Sequence, residues 1–440
     1  MQFKEKNYFF LVLLHVFIGL TISFFPVTAK IYGVLILVVS AYFIVKTKNQ
    51  NHEILGACAY IVGSEVFLRM TQGSLSYEFA KYSLIFFALI GMMYSGFSKN
   101  AVPYWVFLIL LIPGILIGIE DLNTNSNIRT TISFNISGPI SLGFITLYTY
   151  QKKIKLSEIN NILLLLGLPI ISCVVYLYLY SSSSERTLVS TGSNFDLSGG
   201  FGPNQVATIL GLGMFIFFSR LLLVSRTKLM FAVNFVLAFY VGYRGVLTFS
   251  RGGMITGAGM IAVLLYYIYM NSKKKIKLKL LFIIVFFVIS ISSILMYSSY
   301  KTDGLIGNRY ANKDALGREK TDKLTGRLAI AEQELNLFFD NPVFGVGVAR
   351  GSEIRKMQTS EIMDSHDEIT RLLAEHGSLG IIALMVLFFT PIVLFLNNRE
   401  HIYMSAFLVF WFLTINHAAM RTAAPSFIYA LALLKVKFDE

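Results

Sequence analysis

The chain of 440 residues is 55% apolar and only 14% charged, with a mean hydropathy of +0.64, which excludes a water-soluble fold that hides its apolar side chains in its interior. A formal net charge of +13 could indicate a nucleic-acid-binding protein. However, the basic residues stand mainly in short clusters between apolar segments, as membrane topology requires, so no nucleic-acid partner is predicted.

Apolar segments long enough to cross a bilayer recur along the chain, with polar residues between them. They predict an all-α polytopic membrane protein with about fourteen transmembrane helices and one large helical loop outside the membrane. The predicted spans cover residues 7–25, 30–46, 54–71, 81–97, 102–119, 131–150, 159–180, 204–223, 229–248, 252–270, 278–299, 378–397, 401–418 and 424–437.

These spans divide the chain into three parts. Residues 1–299 hold predicted transmembrane helices 1–11, residues 300–377 form the large extracytoplasmic loop, and residues 378–440 hold helices 12–14. Lys and Arg are concentrated in alternate connections, such as the run from Lys273 to Lys279. Because cytoplasmic connections carry the excess of positive charge, we expect this set and both termini to be cytoplasmic. The other short connections hold only Lys30, Lys81, Arg129, Arg186, Arg251 and Arg421.

The first half of the large loop has the pattern of an amphipathic helix. Thr325 is a candidate N-cap and Asn341-Pro342 predicts the end. The apolar residues recur at three- and four-residue spacing: Leu328, Ala331, Leu335 and Phe338. We expect this apolar face to pack on another part of the protein.

A second helix start follows in the same loop. Ser365 and Glu368 form the S-x-x-E pattern of a capping box, and Gly377 predicts a stop. His366 then lies in the first turn, where the helix dipole favours a neutral imidazole that can accept a proton. The alternative interpretation of His366 is an ordinary surface residue. His376, one residue before the stop, is interpreted as a C-terminal cap.

Arg251, in Ser250-Arg251-Gly252-Gly253, is predicted to open a span where backbone amides lack partners. Its guanidinium, the amides and the helix dipole together favour an anion. The alternative is an arginine that reaches to the lipid headgroups. The glycines favour anion binding, because they permit close backbone approach. Arg244, seven residues earlier, is expected to face the same cavity.

Arg69 lies inside an apolar segment, where an unpaired guanidinium costs about 2.5–3.5 kcal/mol. Glu65, one turn earlier, is its simplest partner, and we interpret the pair as structural rather than catalytic. Arg327, Arg186 and Arg421 are further candidates on the extracytoplasmic side. No D-x-D, H-E-x-x-H, P-loop or dinucleotide-binding motif occurs, so no metal and no cofactor are predicted.

The candidate residues stand within a series of short motifs. These are Glu65-Val66-Phe67-Leu68-Arg69, Gly202-Pro203-Asn204, Ser250-Arg251-Gly252-Gly253, Gly326-Arg327, Asn341-Pro342-Val343-Phe344-Gly345-Val346-Gly347, and His366-Asp367 followed by Gly377-Ser378-Leu379-Gly380. The series resembles the O-antigen ligase and O-antigen polymerase superfamily of bacterial surface-polysaccharide assembly. It departs from the family pattern at Asp367, where Asn, Ser or Gln is usual. Asp367 is expected either to pair with Arg371 or to alter the orientation of His366.

The resemblance implies a GT-C-like glycosyltransferase of the bacterial cytoplasmic (inner) membrane. It implies a metal-independent, inverting transfer of a glycan from undecaprenyl diphosphate at the outer leaflet, with His366 as the catalytic base. The implied diphosphate-binding residues are Arg251, Arg327, Arg186 and Arg244. The implied supporting residues are Arg69, Glu65, Asp367 and Glu368.

Four functions remain open from the sequence, and the last in rank is a peptidoglycan polymerase of the shape, elongation and division family, which has fewer spans and different motifs. The leading hypothesis is polymerisation of a lipid-linked repeat unit for O-antigen, capsule or exopolysaccharide. The second is ligation of the glycan to lipid A-core or to protein. The third is a flippase for lipid-linked oligosaccharides, although no internal repeat typical of transporters is visible. The implied partners are the lipid-linked donor, a glycan or lipid-linked acceptor, membrane lipids and a chain-length regulator.

Overall fold

The computed structural model describes residues 5–122, 127–181, 189–320, 326–359 and 365–438. These residues form α-helices and one two-stranded sheet. The helices are α1 Glu5–Phe24, α2 Thr28–Thr47, α3 Glu53–Met70, α4 Phe79–Ser95, α5 Val102–Asp121, α6 Ile128–Thr149, α7 Leu156–Ser181, α8 Pro203–Leu223, α9 Lys228–Leu247, α10 Arg251–Met270, α11 Lys274–Lys301, α12 Leu305–Tyr310, α13 Arg327–Asp340, α14 Arg350–Thr359, α15 Glu368–Asn397, α16 Met404–Ile415 and α17 Ala424–Leu431. The strands are β1 Lys153–Lys155 and β2 Lys435–Lys437.

Each predicted span overlaps one of these helices, so the all-α prediction is confirmed. Within the described ranges, nine helices are long and apolar enough to cross a membrane: α1, α2, α5, α7, α8, α9, α10, α11 and α15. Large apolar side chains on these helices are exposed, among them Phe10, Phe282 and Phe389. Because exposed apolar surface of this extent requires a lipid solvent, the chain is a multi-pass membrane protein.

The prediction of a continuous last span over residues 424–437 is wrong. The helix α17 has 8 residues, and β2 follows it and pairs in parallel with β1. Eight helical residues rise about 12 Å, less than half of the roughly 30 Å hydrocarbon core. The preceding helix α16 is also short, with 12 residues. The connection between them, residues 416–423, lies mostly buried inside the protein.

Alternating helix directions give the bundle two ends. At one end, Asn49 Nδ2 donates to the Tyr148 hydroxyl at 2.8 Å, and Lys435 N donates to Lys152 O at 2.9 Å. The connections rich in Lys and Arg lie at this end. The opposite end carries α12 to α14, the start of α10 and the start of α15. We call it the site end.

The helices α8 and α10 approach each other through glycines. A Cβ added to Gly257 would lie 2.4 Å from the Gly211 carbonyl oxygen, and one added to Gly253 would lie 2.2 Å from the carbonyl carbon of Ala207. Small residues allow membrane helices to pack at such short distances. A Cβ on Gly252 would meet the His417 ring at 2.5 Å. The close backbone approach expected at these glycines is therefore present, and it is made to protein; the expected anion contact stays a prediction.

The large loop attaches to the bundle through the segment that follows α13. Val346 N donates to Ala374 O at 2.8 Å, and Val348 N donates to Gly114 O at 2.8 Å, so the segment lies between α5 and α15. Gly345 has a φ of 74°, and a Cβ there would meet the α15 backbone at 2.5 Å. Only glycine combines that conformation with that close approach.

The helix α13 confirms the predicted loop helix, and only part of its apolar face is buried. Its predicted cap, Thr325, lies outside the described residues. Leu328 is 64% exposed and Leu335 is 37% exposed, whereas the buried side chain on this helix is Glu334. Ala331 and Phe338 are half-buried, and α13 packs on α15, so only part of the expected face is in contact and a buried carboxylate adds to it.

Candidate functional site

The connection between α16 and α17, residues 416–423, joins the elements of the site end. Its hydrogen-bonded pairs are His417 Nε2 and Thr208 Oγ1 (3.1 Å), Ala419 N and His366 O (3.1 Å), and Ala423 N and Glu65 Oε2 (2.7 Å). Irregular backbone is stable within a membrane protein where surrounding protein satisfies its polar groups. The sequence predicts only a short connection here, because contacts with distant parts of the chain leave no local pattern.

Three arginines lie together beside this connection, and we call Arg251, Arg309 and Arg327 the arginine cluster. Arg251 Nη1 donates to Arg309 O at 3.3 Å. Arg309 Nε donates to Phe249 O at 3.0 Å, which fixes α12 against the start of α10. Within the parts of the chain that the structure describes, none of the three forms an ion pair. Guanidinium groups gathered in this way make a site for an anion.

Repulsion between the positive charges of the arginine cluster affects the pKa values of its side chains. Burial, and then the charges of Arg251 and Arg327, lower the pKa of Arg309. Burial, and then the charge of Arg251, lower the pKa of Arg327. Arg309 and Arg251 also lower the pKa of the nearby Lys320, after burial as the largest cause. A bound anion would offset this repulsion, because an opposite charge favours the protonated guanidinium.

The structure thus brings Arg251 and Arg327 together, and the start of α10 at Arg251 agrees with the sequence prediction. It also adds Arg309, which sequence reasoning missed. Arg309 lies in the short helix α12, and no recognisable motif marks it. Its position in the loop was no signal either, because the loop holds ten other basic residues.

His417 connects the arginine cluster to residues 416–423. Its Nδ1 lies 2.7 Å from Leu413 O, and its ring packs on Gly252, the neighbour of Arg251. Both ring nitrogens have partners within the protein. We therefore interpret His417 as a buried spacer between α8, α10 and α16, and not as the proton acceptor.

His366 lies half-buried at the site end, in the stretch that precedes α15. Its carbonyl accepts from Ala419 N, and Arg421 Nη2 donates to the carbonyl of the preceding Ser365 at 2.8 Å. The first-turn prediction for His366 is wrong, because α15 begins at Glu368 and Asp367 is its N-cap. The helix dipole therefore acts on the imidazole less directly than the sequence suggested.

The predicted capping box is wrong as well. Asp367 Oδ1 accepts from Ile369 N at 2.9 Å, so Asp367 and not Ser365 caps α15. Asp367 also does not pair with Arg371. The Arg371 guanidinium pairs with Glu368, and its Nη1 lies 3.7 Å from Glu375 Oε2. The predicted stop at Gly377 is confirmed as a kink, with a φ of 60° inside α15.

Glu368 has a supporting position at the site end. Besides pairing with Arg371, its Oε2 accepts from Met420 N at 3.3 Å. The carboxylate therefore fixes the beginning of α15 against the connection of residues 416–423.

The predicted pair of Glu65 and Arg69 is confirmed. Glu65 Oε1 lies 2.8 Å from Arg69 Nη2, and both side chains are buried. Glu65 also accepts from Ala423 N, and Arg69 Nη1 donates to Arg421 O at 3.3 Å. The pair therefore holds the connection between α16 and α17, which agrees with its structural interpretation.

Arg244 is buried at the end of α9. Its Nη2 donates to Leu177 O at 2.9 Å and to Ser181 Oγ at 2.5 Å, so it braces the end of α7. The expected contact of Arg244 with a diphosphate stays a prediction. Arg186, the remaining predicted diphosphate ligand, lies outside the described residues.

Among the described residues, no group of three or more His, Cys, Asp or Glu side chains is placed to hold a metal ion.

The predicted capping role of His376 is wrong. Its ring is buried against Gly114, and its two nitrogens have no hydrogen-bond partner in the described part of the chain.

A comparison with protein families found a match that covers part of the site end. The sequence model described as O-antigen ligase matches residues 233–385, which include the arginine cluster and His366. The resemblance to the O-antigen ligase and polymerase superfamily is confirmed. No match was found among curated proteins. The match over residues 233–385 and the apolar helices together support a multi-pass membrane enzyme of the O-antigen ligase or polymerase type.

Proposed function

We propose that this protein is a metal-independent, inverting glycosyltransferase that polymerises a surface-polysaccharide repeat unit carried on undecaprenyl diphosphate. The observation that carries this proposal is the arginine cluster, which lies beside the connection that contacts His366. A guanidinium cluster suits a diphosphate leaving group, because charge develops on its oxygens as the glycosidic bond breaks.

The proposed reaction is a single displacement. The acceptor hydroxyl attacks the anomeric carbon of the donor, while the bond from that carbon to the diphosphate oxygen breaks and its electron pair leaves with the diphosphate. His366 takes the proton of the attacking hydroxyl. Arg251, Arg309 and Arg327 stabilise the departing diphosphate, with Arg186 and Arg244 as further proposed contacts.

An apolar cavity supports a lipid-linked donor. It has a volume of about 140 Å³ and lies among α8, α9, α10 and α11, with Tyr310 of α12 in its wall. Tyr310 adjoins Arg309 of the arginine cluster in the chain, and the charges of Arg251 and Arg309 act on its hydroxyl. The cavity has room for a short part of a hydrocarbon tail, and it lies beside the cationic cluster that would hold an anionic head.

We further propose that the fold is GT-C-like and that the site end faces the outer leaflet of the cytoplasmic membrane, with both termini cytoplasmic. The distribution of Lys and Arg supports this orientation, because the clusters lie in connections at the opposite end of the bundle.

Reconstituted protein supplied only with the lipid-linked repeat unit tests the proposal. We expect a ladder of polymers, and we expect EDTA to leave the ladder unchanged. If no product forms until a second acceptor is added, the polymerase assignment fails. Activity lost in EDTA and restored by magnesium would contradict the metal-independent mechanism.

Ligation is the second candidate function, and the description of the matching family as O-antigen ligase favours it. The donor chemistry and the roles of His366 and the arginine cluster are the same. In the assay above, transfer to lipid A-core or to a protein hydroxyl, without a ladder, would identify a ligase.

A further inference from the structure

Glu334 is a buried carboxylate for which the proposed reaction has no direct use. Its side chain is 2% exposed, and its Oε1 lies 3.1 Å from Arg355 Nη1 on α14. Its Oε2 accepts from Thr370 Oγ1 at 2.7 Å and from Ser365 Oγ at 3.2 Å. One carboxylate therefore joins α13, α14 and the beginning of α15.

On one side, Glu334 determines the position of Arg327. Arg327 is the first residue of α13, and Glu334 follows on the same helix about 10 Å away along the axis. The apolar residues Leu328 and Phe339 of this helix are 64% and 70% exposed, so they anchor it poorly. Glu334 is the buried side chain of this helix, and its contacts help to attach the helix that carries Arg327.

On the other side, Glu334 determines the position of His366. Ser365, the residue before His366, lies against the Glu334 carboxylate, and its Oγ also accepts from Asp367 N at 3.2 Å. The Ser365 hydroxyl therefore contacts both Glu334 of α13 and the backbone of Asp367, the residue after His366. These contacts fix the backbone on both sides of His366 against α13. A hydrophobic contact could hold two helices together, but it has no directional bonds that would fix this geometry.

We propose that Glu334 is a positioning residue that sets the distance between Arg327 and His366, and hence between the diphosphate and the proton acceptor. The expected effect on turnover rests on the proposed function. The expected effect on the position of α13 does not depend on that function. Misplacement of reacting groups by about 1 Å costs on the order of 10²-fold in rate.

Turnover tests the first part of the proposal. We expect Glu334→Gln to lower kcat by about 10²-fold. Glu332→Gln, an exposed acid on the same helix, is the matched control and should retain activity. Ser365→Ala should lower kcat as well, and the double variant Glu334→Gln/Ser365→Ala should be no slower than Glu334→Gln alone, because both changes break one link. Multiplicative effects on kcat, or equal activity of the Glu334 and Glu332 variants, would overturn the proposal.

A distance measurement tests the geometry without requiring activity. Spin labels at Leu328→Cys on α13 and at Leu75→Cys, an exposed position between α3 and α4, report the placement of α13 on the bundle. The native cysteines Cys58 and Cys173 are buried and do not interfere. We expect Glu334→Gln to broaden or shift the electron–electron distance distribution, whereas Glu332→Gln leaves it unchanged. An unchanged distance distribution in Glu334→Gln would contradict the positioning role, even if the transferase assignment is correct. A changed distribution in a protein without transfer activity would leave the geometric role standing and remove the proposed function.

Discussion

The guanidinium groups at the site end have two kinds of environment. Arg69, Arg355 and Arg371 each pair with a buried carboxylate and thereby hold helices and connections together. Arg251, Arg309 and Arg327 lie close to one another without an acidic partner among the described residues. This contrast separates the residues expected to bind an anion from those that stabilise the fold.

Alanine substitution should divide the arginines in the same way. Arg309→Ala and Arg327→Ala should each lower kcat by about 10²–10³-fold, because each removes a donor to the leaving diphosphate. His366→Ala should abolish sugar transfer while membrane insertion is retained. Arg318→Ala is the matched control in the same loop, since its side chain is 72% exposed and pairs with Asp314. A loss in Arg318→Ala comparable with that in Arg327→Ala would contradict the assignment.

The buried pair of Glu65 and Arg69 should show its effect in stability. Glu65→Ala leaves the Arg69 guanidinium buried without its nearest carboxylate and removes the acceptor for Ala423 N. We expect a loss of about 3–5 kcal/mol in the free energy of unfolding, measured by denaturant titration in detergent. Glu120→Ala, at an exposed acid near the end of α5, should change this free energy little. Equal effects of the two substitutions would show that the buried pair does not stabilise the site end.

At the scale of elements, α8 and α10 are held at backbone contact, and α10 begins with Arg251 of the arginine cluster. The distance between these two helices therefore affects the position of the cluster. Glycines with different surroundings on α10 allow this contact to be tested.

Two glycine substitutions on α10 make a matched pair. Gly257→Ala brings a Cβ to 2.4 Å from the Gly211 carbonyl oxygen, whereas at Gly259 the nearest atom would lie 3.4 Å away on a Val409 side chain. We expect Gly257→Ala to destabilise the protein by about 1–3 kcal/mol through overpacking. Gly259→Ala should be neutral or stabilising, because alanine favours a helix interior. The midpoint of thermal unfolding in detergent measures both, and a neutral Gly257→Ala would contradict the described packing of α8 on α10.

The sequence predicted the helices well, because long apolar runs and helix stops such as Gly377 act locally. It predicted the pair of Glu65 and Arg69 for the same reason, since the residues lie one helical turn apart. It failed where distant parts of the chain meet. The contacts of residues 416–423 with α3, α8 and α15 leave no local pattern, and neither does the burial of Glu334 on α13.

The two ends of the molecule differ in their charged groups, and this asymmetry agrees with the proposed chemistry. Lys and Arg clusters lie at one end, and the large loop with the arginine cluster lies at the other. A donor presented at the outer leaflet requires that the site end face away from the cytoplasm.

Cysteine labelling in intact cells tests this orientation. A membrane-impermeant maleimide should label Leu316→Cys in the large loop, which is 77% exposed. It should label Lys275→Cys, exposed at the opposite end, only after the membrane is permeabilised. The buried native cysteines provide a low background. Labelling of Lys275→Cys and not of Leu316→Cys in intact cells would reverse the proposed topology and remove the outer-leaflet mechanism.

The most direct test of the account is an experimental structure of the full chain with an undecaprenyl diphosphate bound. We expect the two phosphorus atoms to lie among the guanidinium groups of Arg251, Arg309 and Arg327, with the hydrocarbon tail entering the cavity beside Tyr310. The His366 imidazole should face the terminal phosphate, which carries the sugar in the donor. A diphosphate bound elsewhere, with the arginine cluster unoccupied, would contradict the central claim.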